Sequence, residues 1–143
     1  MLTQGEADAL LAMEKRFADL SPVLLEPGMD VTRELIGADR RERFQFDVWR
    51  GTIQLSKLRL QTRARKIVVL ARLDIDGSPH TNPDGQRFDG THLHLYRKGY
   101  ETRWAYPVDA ATFSNLSNRV RTFDDFCRFC NILDLPPVQE GLL

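Results

Sequence analysis

The 143 residues are 42% hydrophobic and 28% charged with a net charge of zero, the composition of one globular domain able to bury a core without disulfides or a structural metal. The longest purely apolar runs, such as Ile67 to Ala71, fall far below the ~20 residues of a membrane span, and the opening MLTQGEADALL lacks the basic and apolar regions of a secretory signal. Two cysteines spaced CRFC suit a reducing compartment better than a disulfide scaffold, so a cytoplasmic protein that avoids membranes is expected.

Thr3 followed three residues later by Glu6 is a capping box, and Ala7, Leu10, Leu11, Phe17 and Ala18 repeat at helical spacing, which predicts a helix over 3–20. Ser21-Pro22 ends it, because a residue before proline avoids the helical region, and Glu26-Pro27-Gly28 is a turn. From Asp30 the period becomes two: weakly over residues 31–36, then clearly at Phe44, Phe46 and Val48 against Arg43, Gln45, Asp47 and Trp49. A tight hairpin is expected at Arg50-Gly51, with Ile53 and Leu55 continuing the strand. The phase flip at Ser56-Lys57 then reads as a β-bulge ahead of Leu58 and Leu60. Ile67 to Leu73 is apolar on both faces and predicts a central strand. A polar loop over 74–89 leads into a last hairpin, Thr91 to Tyr96 and Thr102 to Tyr106, across Lys98-Gly99. Thr122 with Asp125 reads as a second capping box opening a helix to about Asp134, with Phe123, Phe126, Cys127, Cys130, Ile132 and Leu133 on its apolar face. Pro136-Pro137 stops it, and an extended tail runs to Leu143. The expected fold is a single α+β domain over 1–143: one antiparallel sheet of five or six strands with an N-terminal and a C-terminal helix packed on it.

All three histidines fall within His80 to His94. His92 and His94, one residue apart on a strand, share a face with Tyr96 next in line, while Leu93 and Leu95 point to the core; the polar row is therefore expected at a surface or cleft. His80, Asp84 and Asp89 in the preceding loop can add a third group. Such a cluster (His80, His92, His94, Tyr96) suits acid–base chemistry on a phosphodiester, since imidazoles titrate near neutral pH. The same three histidines are the ligand set if a metal binds. Solvent-facing histidines without a chemical role are the third alternative. Asn82-Pro83-Asp84-Gly85 is a strong turn signal whose polar side chains ordinarily bond their own backbone. The scattered aspartates do not follow a calcium-loop spacing. Cys127 and Cys130 lie past the first turn of their helix, where the dipole no longer favours a thiolate, so buried packing is expected of them.

Charge is unevenly spread. Residues 40–72 carry a net of +8 and the first thirty a net of −4. Arg59, Arg63, Arg65, Lys66 and Arg72 are the candidate contacts to an anionic partner such as RNA or DNA, and the first four are expected to form one contiguous positive surface. A wet sheet face without a nucleic-acid role accounts for the same residues. No phosphate loop, dinucleotide fingerprint, nucleophile elbow or zinc finger is present, and no cofactor is expected.

The stretch HTNPDGxxFxGxHxHxYxxGYxxxWAYP, with LTQGEADALL, DVWRGTIQLSK and DFCRFCNI, is similar along most of the chain to a family of short uncharacterised bacterial proteins, also found near phage and mobile elements. The resemblance implies a bacterial, cytoplasmic, accessory role and assigns no residue. Three classes follow for the function. The first is nucleic-acid association, RNA ahead of DNA, extending to a toxin-like ribonuclease that uses the histidines. The second is a non-catalytic protein-interaction module of the antitoxin, immunity or anti-defence kind. The third is a small metal-dependent enzyme.

Overall fold

Thr3 opens the first helix, α1 (Gln4–Ala12), through the expected capping box: its hydroxyl accepts from the Glu6 amide at 3.1 Å and the Glu6 carboxylate accepts from the Thr3 amide at 3.1 Å. The computed structural model describes residues 1–140. The helix does not run to residue 20. It stops at Ala12, and the chain turns extended as β1 (Lys15–Phe17), placing Phe17 in the core from a strand. The cause is Lys15. Its side chain is fully buried, and Nζ donates to the carbonyls of Leu11 at 2.8 Å, Met13 at 2.9 Å and Cys130 at 2.9 Å. The last carbonyls of a helix have no intrahelical donor, and one ammonium here supplies the ends of both helices.

The remaining strands are β2 (Val23–Leu25), β3 (Asp30–Gly37), β4 (Arg43–Arg50), β5 (Leu58–Ala64), β6 (Val68–Ile75), β7 (His80–Thr81), β8 (Arg87–Phe88), β9 (His92–Leu95) and β10 (Ala105–Tyr106). After them come α2 (Arg119–Phe129), β11 (Ile132–Leu133) and β12 (Val138–Glu140). The main sheet has eight strands in the order β10-β9-β6-β5-β4-β3-β1-β11. It is antiparallel except at β1–β11, which is parallel. A second parallel pair, β2–β12, lies outside it, as does the antiparallel hairpin β7–β8. The class is α+β as expected, but the sheet is larger and mixed: the three-residue and two-residue strands at its far side carry too little periodicity to be read.

One sheet face is apolar. Phe44, Phe46, Val48, Leu58, Leu60, Leu73 and Leu93 are buried there under the helices. Phe46 is the hub, with ring centroids 5.4 Å from Phe17, 5.2 Å from Phe123 and 5.9 Å from Phe126. Cys127 and Cys130 are buried in the same layer, where burial raises both thiols, Cys130 to about 12, so neither forms a thiolate at neutral pH. The second helix is capped by Asn118, whose side chain accepts from the Arg121 amide at 3.0 Å. Thr122 is inside it, bonding back to the Asn118 carbonyl at 2.8 Å, and the helix ends at Phe129, short of Asp134.

Strand β6 is internal, between β5 and β9, but Ile67 is excluded from it: it is 85% exposed in the β5–β6 turn beside Arg65 and Lys66, both at positive φ. The segment 51–57 is a loop, with Ile53 95% exposed, so the phase flip at Ser56 marks a new strand after a loop and not a bulge. The sheet's irregularity lies between β5 and β6 at Thr62/Arg63, where Leu70 is the extra residue. The tail expected after Pro137 is extended over Val138–Glu140; residues 141–143 lie outside the described residues.

Replacing Lys15 by Met should cost about 3 kcal/mol at neutral pH, because three buried carbonyls lose a charged donor. Burial draws the Lys15 ammonium down to about 8, against an opposing effect of Cys130. Between that value and the ordinary lysine range the unfolded chain therefore holds more protons at this group, and the contribution of Lys15 to stability grows as pH rises. The two buried thiols act in the opposite sense over the same range, so the lysine is read by difference: in urea unfolding the stability gap between the native protein and Lys15→Met should widen from pH 7 to pH 10.

Candidate functional site

The opposite face of the sheet is polar and carries no helix. Directly paired residues on neighbouring antiparallel strands share a face, so the register builds two rows across β3, β4, β5, β6 and β9. One row is Asp30, Trp49, Arg59, Asp74, His92; the next is Thr32, Asp47, Gln61, Arg72, His94. Two carboxylates are the hubs. Asp47 accepts from Thr32 at 2.6 Å, Gln61 at 2.7 Å and Arg63 at 2.7 and 2.9 Å. Asp74 accepts from Arg59 Nε at 2.9 Å, and its other oxygen lies 3.2 Å from Arg72 Nε, 3.3 Å from His92 Nε2 and 3.5 Å from His94 Nε2. Arg72 Nη2 donates to His94 Nε2 at 3.1 Å. Neither aspartate is singled out by the sequence as a site residue. The polar phase of each strand was visible, but which charges meet is fixed by register.

The β7–β8 hairpin brings His80 onto this end of the sheet. Its ring centroid is 5.6 Å from His92 and 4.7 Å from His94, and those two are 4.8 Å apart, so the three imidazoles do adjoin. Asn82 holds the hairpin in place: its side chain donates to the Ala105 carbonyl at 2.9 Å and accepts from the Ala105 amide at 2.7 Å. His80 Nε2 lies 3.0 Å from both Asn82 Oδ1 and the Arg103 carbonyl, two acceptors, so that nitrogen carries the proton. Gly85, at positive φ, closes the Asn82–Gly85 turn with its amide on the Asn82 carbonyl at 2.8 Å. Asp84 and Asp89 are exposed and do not join the cluster; Asp84 accepts from the Gln86 amide and Asp89 pairs with Arg87.

Three expectations are corrected. The histidine row is not a surface feature: His92 is 2% and His94 1% exposed, because the hairpin covers a face that alternation alone marks as outward. Tyr96 is not part of the cluster. It is buried, its amide bonds the Leu70 carbonyl, and its hydroxyl donates to the Leu2 carbonyl at 2.6 Å near the first helix. The basic residues do not form one positive surface. Arg59 and Arg72 face Asp74, Arg63 is held by Asp47, and Arg65 reaches Glu42 at 3.0 Å, each charge set against a nearby acid. Lys66 stays with Arg65 at the turn, beside exposed Arg40, Arg41 and Arg43 at the same end of the sheet.

The electrostatics follow. Burial pushes the Asp74 carboxyl up, but the neighbouring His94 side chain and the charges of Arg72 and Arg59 outweigh it, so it stays ionised far below the usual carboxylate range. Burial lowers His92; Asp74 opposes this, while His94 and His80 reinforce it. The site thus keeps one carboxylate, two guanidiniums and a His92 imidazole biased to its neutral form.

Fold and site together define a class: an α+β protein with one helix-covered sheet face, one open polar face, and a histidine–aspartate–arginine cluster closed under a hairpin. The chain belongs to a family of unknown function, DUF6978, whose model matches residues 2–132. No curated protein and no solved structure matches it. Among the described residues no helix is long and apolar enough to cross a membrane.

Because His92 binds its proton less readily when folded, the unfolded chain takes up a proton first as pH falls through about 6.5, and stability is lost in that window. Carboxylate losses come at lower pH. In chelator-containing buffer the denaturation midpoint should fall between pH 7.5 and 5.5, and His92→Gln should flatten that slope. Asp74→Asn should cost about 2 kcal/mol, discounted for the partly exposed arginines it leaves unpaired. A wild-type midpoint unchanged across this window would contradict the burial of His92.

Proposed function

We propose that the chain is a non-catalytic protein-interaction module, of the antitoxin, immunity or anti-defence kind, that presents the open face of its sheet to a folded partner. The observation that carries this is the pair of cross-strand rows, whose acids are interspersed with basic and polar side chains and already bonded to neighbouring arginines. A surface whose cations are neutralised in place offers little to a polyphosphate, but it complements a protein surface bearing both signs. Trp49 lies on this face, in the row of Arg59 and Asp74, with the Arg59 guanidinium 5.6 Å from its ring, and Trp and Arg are the residue types that most often dominate binding energy at protein interfaces. Burial of His92 and His94 supports a structural part for them over acid–base catalysis on a polymer, which must reach the imidazoles.

Nucleic-acid association, RNA ahead of DNA, is the second reading, and one observation favours it. Arg40, Arg41, Arg43, Arg65 and Lys66 are all exposed at the turn end of the sheet, against Asp39 and Glu42. Contact there would be electrostatic and steeply weakened by salt.

A photo-crosslinking residue placed at Thr32 or Gln61, in cells of a bacterium carrying the gene, should yield one discrete heavier adduct that Trp49→Ala reduces at least tenfold. The same residue at Arg121, on the helix layer, should not. Labelled single-stranded RNA and duplex DNA titrated at low salt separate the second reading. Tight retention lost on Arg41→Glu with Lys66→Glu, and no adduct from the sheet face, would replace the protein-binding assignment.

A further inference from the structure

The Asp74 cluster has a geometry that hydrogen bonding does not explain. A charge-assisted N–H···O contact settles at about 2.7–2.9 Å, and Arg59 meets that on one Asp74 oxygen at 2.9 Å. The other oxygen stands off His92 Nε2 by 3.3 Å and His94 Nε2 by 3.5 Å. Ligand atoms about 2.1 Å from a tetrahedral ion lie about 3.4 Å from one another. One candidate donor atom from each of the three residues can be chosen so that all lie within 4.8 Å of one another, and all three residues are buried.

The proton positions agree with this. Arginine can only donate, so the Arg72 contact at 3.1 Å requires a lone pair on His94 Nε2. That lone pair faces the Asp74 oxygen, another acceptor, and the two need a cation near both. The Nδ1 atoms of His92 and His94 are buried and have no hydrogen-bond partner among the described residues. The Arg72 contact thus places the His94 proton on Nδ1, and the His94 Nε2 lone pair becomes available to an ion once Arg72 moves aside; His92, whose Nε2 faces the Asp74 oxygen at 3.3 Å, would shift its proton to the unpartnered Nδ1 on binding. His80 packs against both rings, its Nε2 proton engaged by Asn82 and Arg103, and so closes the cluster on its outer side.

We propose that Asp74, His92 and His94 form a binding site for a divalent transition-metal ion of the zinc class, in which the ion takes the place now held by the Arg72 guanidinium. Two imidazoles and one carboxylate are the donor set that such ions prefer over calcium or magnesium, and three protein ligands leave a fourth position open. The side chain of Arg72 is 25% exposed and that of Arg59 48%, so both guanidiniums have a path toward solvent as the ion enters. Arg72 is then a built-in competitor. The proposal is independent of which partner uses the open sheet face.

The test uses the tag-free full chain stripped with chelator. Cobalt(II) is followed by the visible absorption of its four-coordinate form, and zinc by calorimetry. One ion per chain is expected. His94→Gln and His92→Gln should weaken binding at least 100-fold, with circular dichroism confirming that each variant is folded. Arg72→Met should tighten binding about tenfold by removing the competing cation, a gain that unfolding cannot produce. The assignment is overturned by a folded wild-type chain that takes up no cobalt or zinc at millimolar concentration. It is equally overturned by binding that survives both histidine substitutions, or by an Arg72→Met variant that binds no more tightly than wild type.

Discussion

The Asp74 carboxylate is the constraint on which the polar half of the molecule depends. Two guanidiniums and three imidazoles converge at one end of the sheet, and without Asp74 the Arg59 and Arg72 charges would meet there with no counter-charge between them. Low dielectric raises the stakes, since buried charges are tolerated only when paired and hydrogen-bonded. Asp47 repeats the arrangement one row along, gathering Thr32, Gln61 and Arg63. The face is a lattice of local neutralisations, Asp47 and Asp74 each holding nearby arginines, while the remaining exposed cations gather at the β5–β6 turn end.

The apolar half solves a different problem with the same chemistry. Its core is conventional, aromatic rings from two strands and one helix meeting at Phe46. What is unusual is the cation inside it. Lys15 gives up hydration to bond three carbonyls, with its ammonium also 4.8 Å above the Phe44 ring. Both halves thus use one charged side chain to satisfy groups arriving from distant parts of the chain.

Much of this was readable in order along the chain, and the failures have physical causes. Strands β3, β4, β5 and β9 carry period-two patterns, β6 is a run apolar on both faces, and the capping box at Thr3 is chemically complete, so all were legible. The strand at Lys15 was not, because Lys-Arg-Phe continues a helical spacing and only a tertiary contact, the Cys130 carbonyl, reverses the preference. Thr122 has the composition of a cap, but Asn118 sits where the backbone turns. For the site, sequence proximity exposed the three histidines, whereas Asp74 meets His92 through pairing register, which depends on where the β5–β6 irregularity falls. The hairpin that buries the imidazoles is likewise a contact between loops. Alternation tells which side of a strand a residue faces, not what is laid over it.

The parallel pairings of β1 with β11 and β2 with β12 carry a consequence for how the chain is made. Each joins the first quarter of the sequence to its last twelfth, and the Lys15 bond to Cys130 spans 115 positions. Contacts so remote in sequence must await synthesis of residues 130–140, and their closure is slow because the intervening loop entropy is lost before they form. While a ribosome still holds the C-terminal third, the sheet edge at β1 has no partner and the lysine lacks one of its three acceptors. The nascent chain therefore passes through a stage with an open strand edge and an unsealed core, the state that chaperones recognise and that favours aggregation.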